Sequence, residues 1–248
     1  MKNPLRNIIH IVKQIGLDII LPRSCAGCGS QKEAFCASCR EASYKYGAGC
    51  LYCGLRNQTG LVCSKCRRIK NLGNVLWAGK YENALKSAVW QLKYKKRREL
   101  AAPLGEMLAK KFHEIYPRAN KENFLIIPVP LHYEKEKTRG FNQAAEIAKS
   151  FSKTVGIKIG ENILEKIKET PAQVEVKEKD KRIKNLEGAF FANLPPLNPL
   201  LTKEGKTGVV TIILVDDVAT TGATLEHASS ALAQAGVQKI IGLVVAHG

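Results

Sequence analysis

From residue 71 onward, short apolar runs alternate with longer segments in which apolar residues recur every three or four positions. The short runs are bounded by turn residues and predict buried strands at 74–80, 124–127, 209–215 and 240–245. The longer periodic segments predict helices at 81–94, 100–115, 141–155 and 225–235. Because strands that alternate with helices are typical of a parallel sheet, we expect an α/β domain over residues 71–248.

The third predicted strand runs into two adjacent carboxylates, Asp216 and Asp217, and then into a short loop that opens the next helix. At the carboxyl end of a strand, these acids can accept hydrogen bonds from the vicinal hydroxyls of a ribose. A helix begins with unpaired N–H groups and a partial positive charge, so a small, hydroxyl-rich loop at this point can hold a phosphate. The loop residues are Ala219, Thr220, Thr221, Gly222, Ala223 and Thr224.

This segment resembles the loop that binds phosphoribosyl pyrophosphate (PRPP) in type I phosphoribosyltransferases. The resemblance implies that Asp216 and Asp217 hold the ribose hydroxyls and that residues 219–224 surround the 5′-phosphate. Ala219 stands where many members of that family carry a larger aliphatic residue. The alternative interpretation is an ordinary surface turn in which the acids are solvated and Thr220 caps the helix.

All eight cysteines lie before residue 70, in four Cys-x-x-Cys pairs: Cys25/Cys28, Cys36/Cys39, Cys50/Cys53 and Cys63/Cys66. Four such pairs can fill two tetrahedral zinc sites and leave no position for water, which is typical of structural zinc. A region of about 45 residues with few large apolar side chains needs this binding energy in order to fold. Disulfides or a redox dithiol are the alternatives, but no secretory signal accompanies the tandem pairs. The spacing alone allows either sequential or interleaved pairing.

The N-terminal residues 1–22 predict an amphipathic helix that packs on the body of the protein. Lys13, Gln14 and Asp18 interrupt its apolar residues, which argues against a membrane span and leaves binding at a membrane surface as the alternative. We therefore expect three parts: this helix, a double zinc ribbon at 23–70 and the α/β domain at 71–248.

The formal net charge of +17 is strongly basic for 248 residues. Such a charge favours polyanionic partners, either nucleic acid or metabolites that carry pyrophosphate. A solvated, lysine-rich surface without a specific partner explains the same composition equally well.

Further segments, taken together, resemble the ComF family, whose members join an N-terminal double zinc ribbon to a phosphoribosyltransferase domain. These segments are Leu92-Lys93-Tyr94, Pro128-Val129-Pro130, residues 139–143, Gln173, Arg182, Asn185 and Gly188-Ala189-Phe190. The resemblance implies sequential zinc sites, formed by Cys25, Cys28, Cys36 and Cys39 and by Cys50, Cys53, Cys63 and Cys66. It also implies a cytoplasmic protein of natural competence that handles incoming single-stranded DNA.

Four residues of these segments are candidates for binding the pyrophosphate. Arg139 is predicted at a helix start, where its guanidinium can meet pyrophosphate oxygens, and Asn142 and Gln143 add neutral donors. Lys93 adds a further positive charge, although a solvated cation or a helix cap explains each of these residues as well. The charged segment 165–186 suits either a mobile hood over a ligand or a surface loop, and in it Lys166 replaces a common arginine.

Two functions stay open at this point. The first is an enzyme, a phosphoribosyltransferase that binds PRPP with Mg²⁺ and uses Asp216, Asp217 and Arg139 in transfer to an unidentified acceptor. The second is a non-catalytic module that holds single-stranded DNA, works with other DNA-uptake proteins and keeps the phosphoribosyl site for binding or regulation. Tyr44, Tyr46, Tyr52 and Trp77 are the candidate stacking platforms for this second function.

Overall fold

A computed structural model describes residues 24–44, 50, 63–67, 72–169, 186, 188–194 and 210–248. The predicted N-terminal helix at 1–22 lies outside these residues. So do Tyr46, Tyr52, Cys53, Gln173, Arg182 and Asn185.

The described helices are α1 (Ala37–Ser43), α2 (Ser64–Arg67), α3 (Asn83–Tyr94), α4 (Ala101–Ile115), α5 (Tyr133–Arg139), α6 (Gln143–Val155) and α7 (Ala223–Gln234). The described strands are β1 (Asn74–Lys80), β2 (Phe124–Pro128), β3 (Leu164–Lys166), β4 (Phe190–Ala192), β5 (Thr211–Ala219) and β6 (Lys239–His247). Single turns of 3₁₀ helix at Arg98–Leu100 and Lys121–Asn123 precede α4 and β2. Every strand and helix predicted from the apolar pattern of the α/β domain is therefore present.

Four parallel strands form the main sheet in the order β1, β6, β5 and β2. Strands β5 and β6 lie in the centre and are buried along almost their whole length, which explains their continuous apolar runs. Side chains alternate between two cores, so that Ile213 faces α4 and α6 on one side while Leu214 faces α7 on the other. This arrangement confirms the predicted α/β class with a parallel sheet.

Strand β5 is longer than the predicted strand at 209–215, because it continues through both acids to Ala219. Aspartate is a poor strand former, so the sequence pattern ends the strand at Val215. In the protein, strand β6 pairs with β5 beyond that point, as in the register of Asp216 with Val244 and of Ala219 with His247. The acid pair thus lies within the sheet and is held by a neighbouring strand.

Helix α5 and strands β3 and β4 were not predicted from the pattern. The highly polar helix α5 follows the Pro-Val-Pro turn, and strands β3 and β4 pair in a small antiparallel sheet with Leu164 opposite Ala192. Helix α5 is too polar to show an apolar period, and β3 and β4, with three residues each, are too short to show one. No helix among the described residues has the length and apolar content needed to cross a membrane.

Trp77 was a candidate stacking platform, and the structure shows that this expectation is wrong. Its side chain is 8% exposed in the core and stacks on His247 with 4.8 Å between ring centroids. A nucleobase cannot reach a ring that the sheet and His247 already cover.

Candidate functional site

The acid pair lies at the carboxyl end of β5, and both side chains are buried, Asp216 at 8% exposure and Asp217 at 2%. The backbone N–H of Asp217 donates to Oδ1 of Asp216 at 2.8 Å. Lys93, on helix α3, places its Nζ 2.8 Å from Oδ1 of Asp217. The second oxygen of Asp217, Oδ2, is buried and has no hydrogen-bond partner among the described residues.

Burial, followed by the charge of Asp217, raises the pKa of Asp216 from 3.8 to about 7, against the opposing effect of Lys93. From the sequence, both acids are expected to be ionised carboxylates. With a pKa of about 7, however, the buried Asp216 loses its proton only near neutral pH. The pKa of Lys93 is raised because the ion pair with Asp217 outweighs the lowering effect of its burial. Burial and the charge of Lys135 lower the pKa of Lys166 to about 8, although Asp216 opposes that shift.

Tyr81, between β1 and α3, lies close enough to the acid pair for the charges there to act on it. Burial, and then the charge of Asp217, raise the pKa of its hydroxyl, while Lys93 lowers it. Neither Tyr81 nor the Lys166–Asp216 interaction was expected, because tertiary contacts alone bring these residues together. The segment Leu92-Lys93-Tyr94 was the one signal in the sequence that assigned helix α3 to the site.

The loop after the acid pair is as short as its sequence predicts. Ala219 ends β5, and Ala223 begins α7, with only Thr220, Thr221 and Gly222 between them. Gly222 is the N-cap and has φ 76°, a left-handed conformation that favours glycine. It supplies no side-chain cap, so the alternative of a Thr220 cap is wrong, and Thr224 lies in the first turn of the helix.

Two hydroxyl groups of this loop differ in their hydrogen bonds. The hydroxyl of Thr221 accepts from the backbone N–H of Ala223 at 3.4 Å, which holds the loop against the helix. The hydroxyl of Thr220 is buried and finds no hydrogen-bond partner in the part of the chain that the structure describes. The loop therefore offers the buried hydroxyl of Thr220 beside a helix N-terminus whose N-cap residue, Gly222, has no side chain to occupy the first N–H groups.

The predicted helix start at Arg139 is wrong. Arg139 is the last residue of α5, and Gly140 ends that helix in a left-handed conformation with φ 84°. Its guanidinium donates to Oε1 of Gln143, at the start of α6, and lies 5.6 Å from the ring centroid of Tyr94. This contact places the Arg139 guanidinium beside Tyr94, the last residue of α3.

Asn142 has a structural explanation, which was the alternative interpretation of this residue. It caps helix α6, where its Oδ1 accepts from the N–H groups of Ala144 and Ala145 at 2.9 and 3.4 Å. Its Nδ2 donates to the carbonyl of Val129 at 3.0 Å and so ties the Pro-Val-Pro turn to α6. These contacts occupy the side chain, and Gln143, which is buried, holds Arg139.

The cysteines form two clusters in which the sulfur atoms lie within 4.8 Å of one another. One cluster contains Cys25, Cys28, Cys36 and Cys39; the other contains Cys50, Cys63 and Cys66. The described cysteines are thus grouped sequentially, as the ComF resemblance implies, with Cys53 outside the described residues. Burial and hydrogen bonds with the neighbouring sulfurs raise the pKa of the Cys39 thiol to about 12. Four sulfurs this close become thiolates together only around a cation, which fits a structural zinc ion.

Comparison with known families matches both regions. Residues 16–67 match the family described as "Double zinc ribbon domain", and residues 97–248 match the family described as "Phosphoribosyl transferase domain". The boundaries expected at residues 23, 70 and 71 stay predictions, since family matches do not fix where a domain ends.

Several curated proteins are similar to this chain over most of its length. Competence protein F of Haemophilus influenzae is 29% identical over 84% of this chain and 88% of its own. Competence protein ComFC of Bacillus subtilis is 27% identical over 82% of this chain and 80% of its own. DNA utilization protein YhgH of Escherichia coli K12 is 24% identical over 83% of this chain and 86% of its own. With a double zinc ribbon ahead of a phosphoribosyl transferase domain and with these relatives, the chain belongs to the ComF family.

Proposed function

We propose that this protein binds PRPP together with Mg²⁺ and transfers the phosphoribosyl group to an acceptor. The observation that carries the proposal is a pair of buried oxygens, Asp217 Oδ2 and Thr220 Oγ1, without hydrogen-bond partners among the described residues. Each such atom costs roughly 1–3 kcal/mol in the folded protein. A ribose 5-phosphate group satisfies both, with a sugar hydroxyl for the carboxylate and a phosphate oxygen for the threonine.

The phosphate-binding part of the proposal rests on the loop and on helix α7. Gly222 turns the chain in a left-handed conformation, and its missing side chain lets the backbone approach a phosphate closely. The N-terminus of α7 adds its partial positive charge, and Thr220, Thr221 and Thr224 add hydroxyl groups. We therefore assign the 5′-phosphate to residues 219–224.

Transfer breaks the bond between the anomeric carbon and pyrophosphate and forms a bond from that carbon to the acceptor. Positive charge develops on the sugar in this step, and the carboxylates of Asp216 and Asp217 stabilise it. Arg139 is the residue we assign to the pyrophosphate, with Gln143 orienting its guanidinium. When bound to the pyrophosphate, Mg²⁺ supplies further neutralisation of the leaving group.

Pyrophosphate release tests the catalytic half of this proposal. Purines, pyrimidines, amines and single-stranded oligonucleotides are incubated in turn with PRPP, Mg²⁺ and the protein. We expect one acceptor class to release pyrophosphate, and we expect the Asp216→Asn/Asp217→Asn variant to lose that release. If PRPP binds but no acceptor releases pyrophosphate, transfer is excluded and the site is one of binding or regulation.

A second candidate function is the holding of single-stranded DNA, and one surface of α3 favours it. Trp90 and Tyr94 lie one helical turn apart, are 44% and 54% exposed, and have ring centroids 5.7 Å apart. Lys95 lies 5.5 Å from the ring of Trp90, and Arg139 lies 5.6 Å from the ring of Tyr94. Exposed rings beside cations stack on bases and attract phosphates, which is how non-specific single-strand binding arises.

Tryptophan fluorescence tests this second function directly, because Trp77 is buried and Trp90 is exposed. We expect an oligothymidine strand to quench Trp90, with an affinity that falls steeply as salt rises. The Trp77→Phe variant should keep the quenching and Trp90→Phe should lose it. If the tryptophan fluorescence does not change when DNA is added at low salt, the second function is excluded.

The relatives named competence proteins and DNA utilization proteins support DNA uptake as the process we propose for this protein. We place it in the cytoplasm, whose reducing conditions keep the thiols of the zinc clusters from forming disulfides.

A further inference from the structure

We propose that Lys93 is a positioning residue of the phosphoribosyl site and that the first cysteine cluster sets its position through helix α3. This inference rests on the proposed PRPP site. It assigns the zinc ribbon an indirect role in ligand binding, through helix α3 and Lys93.

The two carboxylate oxygens of Asp217 have different surroundings. Its Oδ1 accepts from the Lys93 ammonium at 2.8 Å, while Oδ2 has no partner in the described residues and is the oxygen available to a ribose hydroxyl. The Lys93 side chain is 19% exposed, so the pair is shielded from water and its geometry is well defined. Fixing Oδ1 orients the carboxylate and thereby aims Oδ2.

Helix α3 is attached by hydrogen bonds to the first cysteine cluster. The carbonyl of Ala26, between Cys25 and Cys28, accepts from the Ser87 hydroxyl at 2.6 Å and from Nε2 of Gln91 at 3.2 Å. Gln91 also donates to the Ser87 hydroxyl at 3.0 Å. The two side chains therefore form one clamp, one helical turn long, on a single carbonyl of the cluster.

Arg97 extends this clamp beyond the end of the helix. Its guanidinium donates to Oε1 of Gln91 and to the carbonyl of Ser24, both at 2.8 Å. Lys93 lies between Gln91 and Arg97 in the chain, so both neighbouring anchors of this segment are tied to the cysteine-rich region.

The first cysteine cluster packs closely on α3, which explains how the cluster can set the position of that helix. A Cβ added at Gly27 would lie 2.7 Å from Sγ of Cys39 and 2.8 Å from Cβ of Ala84 on α3. No larger residue fits there, so the turn of the cluster rests directly on the helix. An α-helix is rigid over two turns. A cluster that holds the Ala26 carbonyl against Ser87 and Gln91 therefore also fixes the position of Lys93 on the same helix. The zinc ion would act here by holding the shape of that turn.

The test compares PRPP affinity, measured by calorimetry, in four proteins: the full-length protein, Lys93→Met, the clamp variant Ser87→Ala/Gln91→Leu, and the triple variant. We expect Lys93→Met to weaken binding about 10- to 100-fold, as for loss of a partner from a buried charge pair. The clamp variant should weaken it about 3- to 10-fold, as for loss of one or two hydrogen bonds. Because the clamp acts through Lys93, the triple variant should bind no more weakly than Lys93→Met.

Two control variants separate positioning from general loss of structure. Lys86→Met removes an exposed lysine from the same helix, and Ser150→Ala removes a hydroxyl that bonds the Ala102 carbonyl between α6 and α4. Both should bind PRPP as the unaltered protein does, and zinc content should be the same in every protein. Additive losses in the triple variant, or unchanged binding by Lys93→Met, would overturn the proposal.

A ligand-free measurement keeps this result distinct from the PRPP proposal. A double-mutant cycle of Lys93→Met with Asp217→Asn in urea unfolding measures the coupling of these residues. We expect a clear coupling that shrinks when Ser87 and Gln91 are replaced. If the unaltered protein does not bind PRPP, the proposed function fails, while this cycle still decides the positioning. A coupling that is the same with and without the clamp would contradict it.

Discussion

Lys93 Nζ lies 2.8 Å from Oδ1 of Asp217, and this ion pair joins helix α3 to the central strand β5. Two adjacent carboxylates inside a sheet need a compensating charge, and Lys93 supplies it from an element that is distant in the chain. The pair makes α3, which also contacts the first cysteine cluster, part of the acid site.

Asp217→Asn should destabilise the protein, because it leaves the Lys93 ammonium buried without its partner. We expect a loss of about 2–4 kcal/mol in the free energy of unfolding, measured with urea. Glu146→Gln is the matched control, since it breaks a surface pair with Lys149 at 3.2 Å that is worth at most about 0.5 kcal/mol. Equal effects of the two substitutions would show that the Lys93 pair is solvated.

Stability should fall as pH rises through the range in which Asp216 loses its proton. Its pKa is about 7 in the folded protein and 3.8 in the unfolded chain, so between these values the folded state binds more protons. The contribution of this group is therefore greatest below pH 3.8 and is lost as pH rises towards 7.

Unfolding free energies measured at about pH 5 and about pH 7 check this sign, with an expected difference on the order of 1–3 kcal/mol. Asp216→Asn, which cannot ionise, should remove most of that difference. A fall of the same size in the variant would assign the pH dependence to other groups.

PRPP affinity should change with pH in the opposite direction. An ionised Asp216 accepts a hydrogen bond from a ribose hydroxyl, so binding should strengthen as pH approaches 7, by up to about tenfold per pH unit. Calorimetry across this range is the measurement, and Asp216→Asn corrects for ionisation of the ligand itself. Parallel curves for both proteins would exclude Asp216 as the titrating group.

Gly222→Ala should weaken PRPP binding as well as stability. Gly222 has φ 76° and opens α7, while Gly236 has φ 99° just beyond the end of α7, with no atom within 4 Å of an added Cβ. Both substitutions strain a left-handed backbone, and each should cost about 1 kcal/mol of stability. Only Gly222→Ala should lower PRPP affinity. Equal PRPP affinities of the two variants would show that the phosphate does not bind at this loop.

Chelation of zinc should unfold the cysteine-rich region before the α/β domain. Among the residues of this region that the structure describes, only Cys25, Ala26, Phe35 and Cys50 are buried, so we expect metal binding to supply most of its folding energy. Hydrogen exchange with and without a chelator should show lost protection at residues 24–44 while β5 and β6 stay protected. Bound metal should be two zinc ions per chain by elemental analysis, and protection of residues 24–44 that survives complete metal removal would refute the structural role.

The main sheet and the helices that cover it could be predicted from the sequence, because the strands are continuous apolar runs and the helices carry a clear apolar period. The pattern located β5 and β6 but ended β5 at Val215, since strand pairing with β6 overrides the poor strand propensity of the aspartates. Arg139 was placed at a helix start for a similar reason, because the polar helix α5 that it ends has no apolar stripe.

The acid pair and the loop were readable because strand, carboxylates, glycine and threonines are contiguous in the chain. Their partners were not, because Lys93, Tyr81 and Lys166 reach the acids only through tertiary packing. The sequence motif around Lys93 pointed to the correct helix. We expected the Lys93 charge to act on pyrophosphate, whereas in the structure Lys93 forms an ion pair with Asp217. No pattern in the sequence showed that the cysteine-rich region contacts that helix.

Calorimetric titration of the zinc-loaded protein with PRPP and Mg²⁺, beside the Asp216→Asn/Asp217→Asn variant, decides whether the acid pair belongs to a PRPP site. Ribose 5-phosphate serves as a second ligand that lacks the pyrophosphate, and circular dichroism verifies that the variant is folded. We expect the unaltered protein to bind PRPP, ribose 5-phosphate to compete with PRPP, and the variant to lose binding. Absence of PRPP binding by the folded, zinc-loaded protein would show that the acid pair and its loop are not a PRPP site.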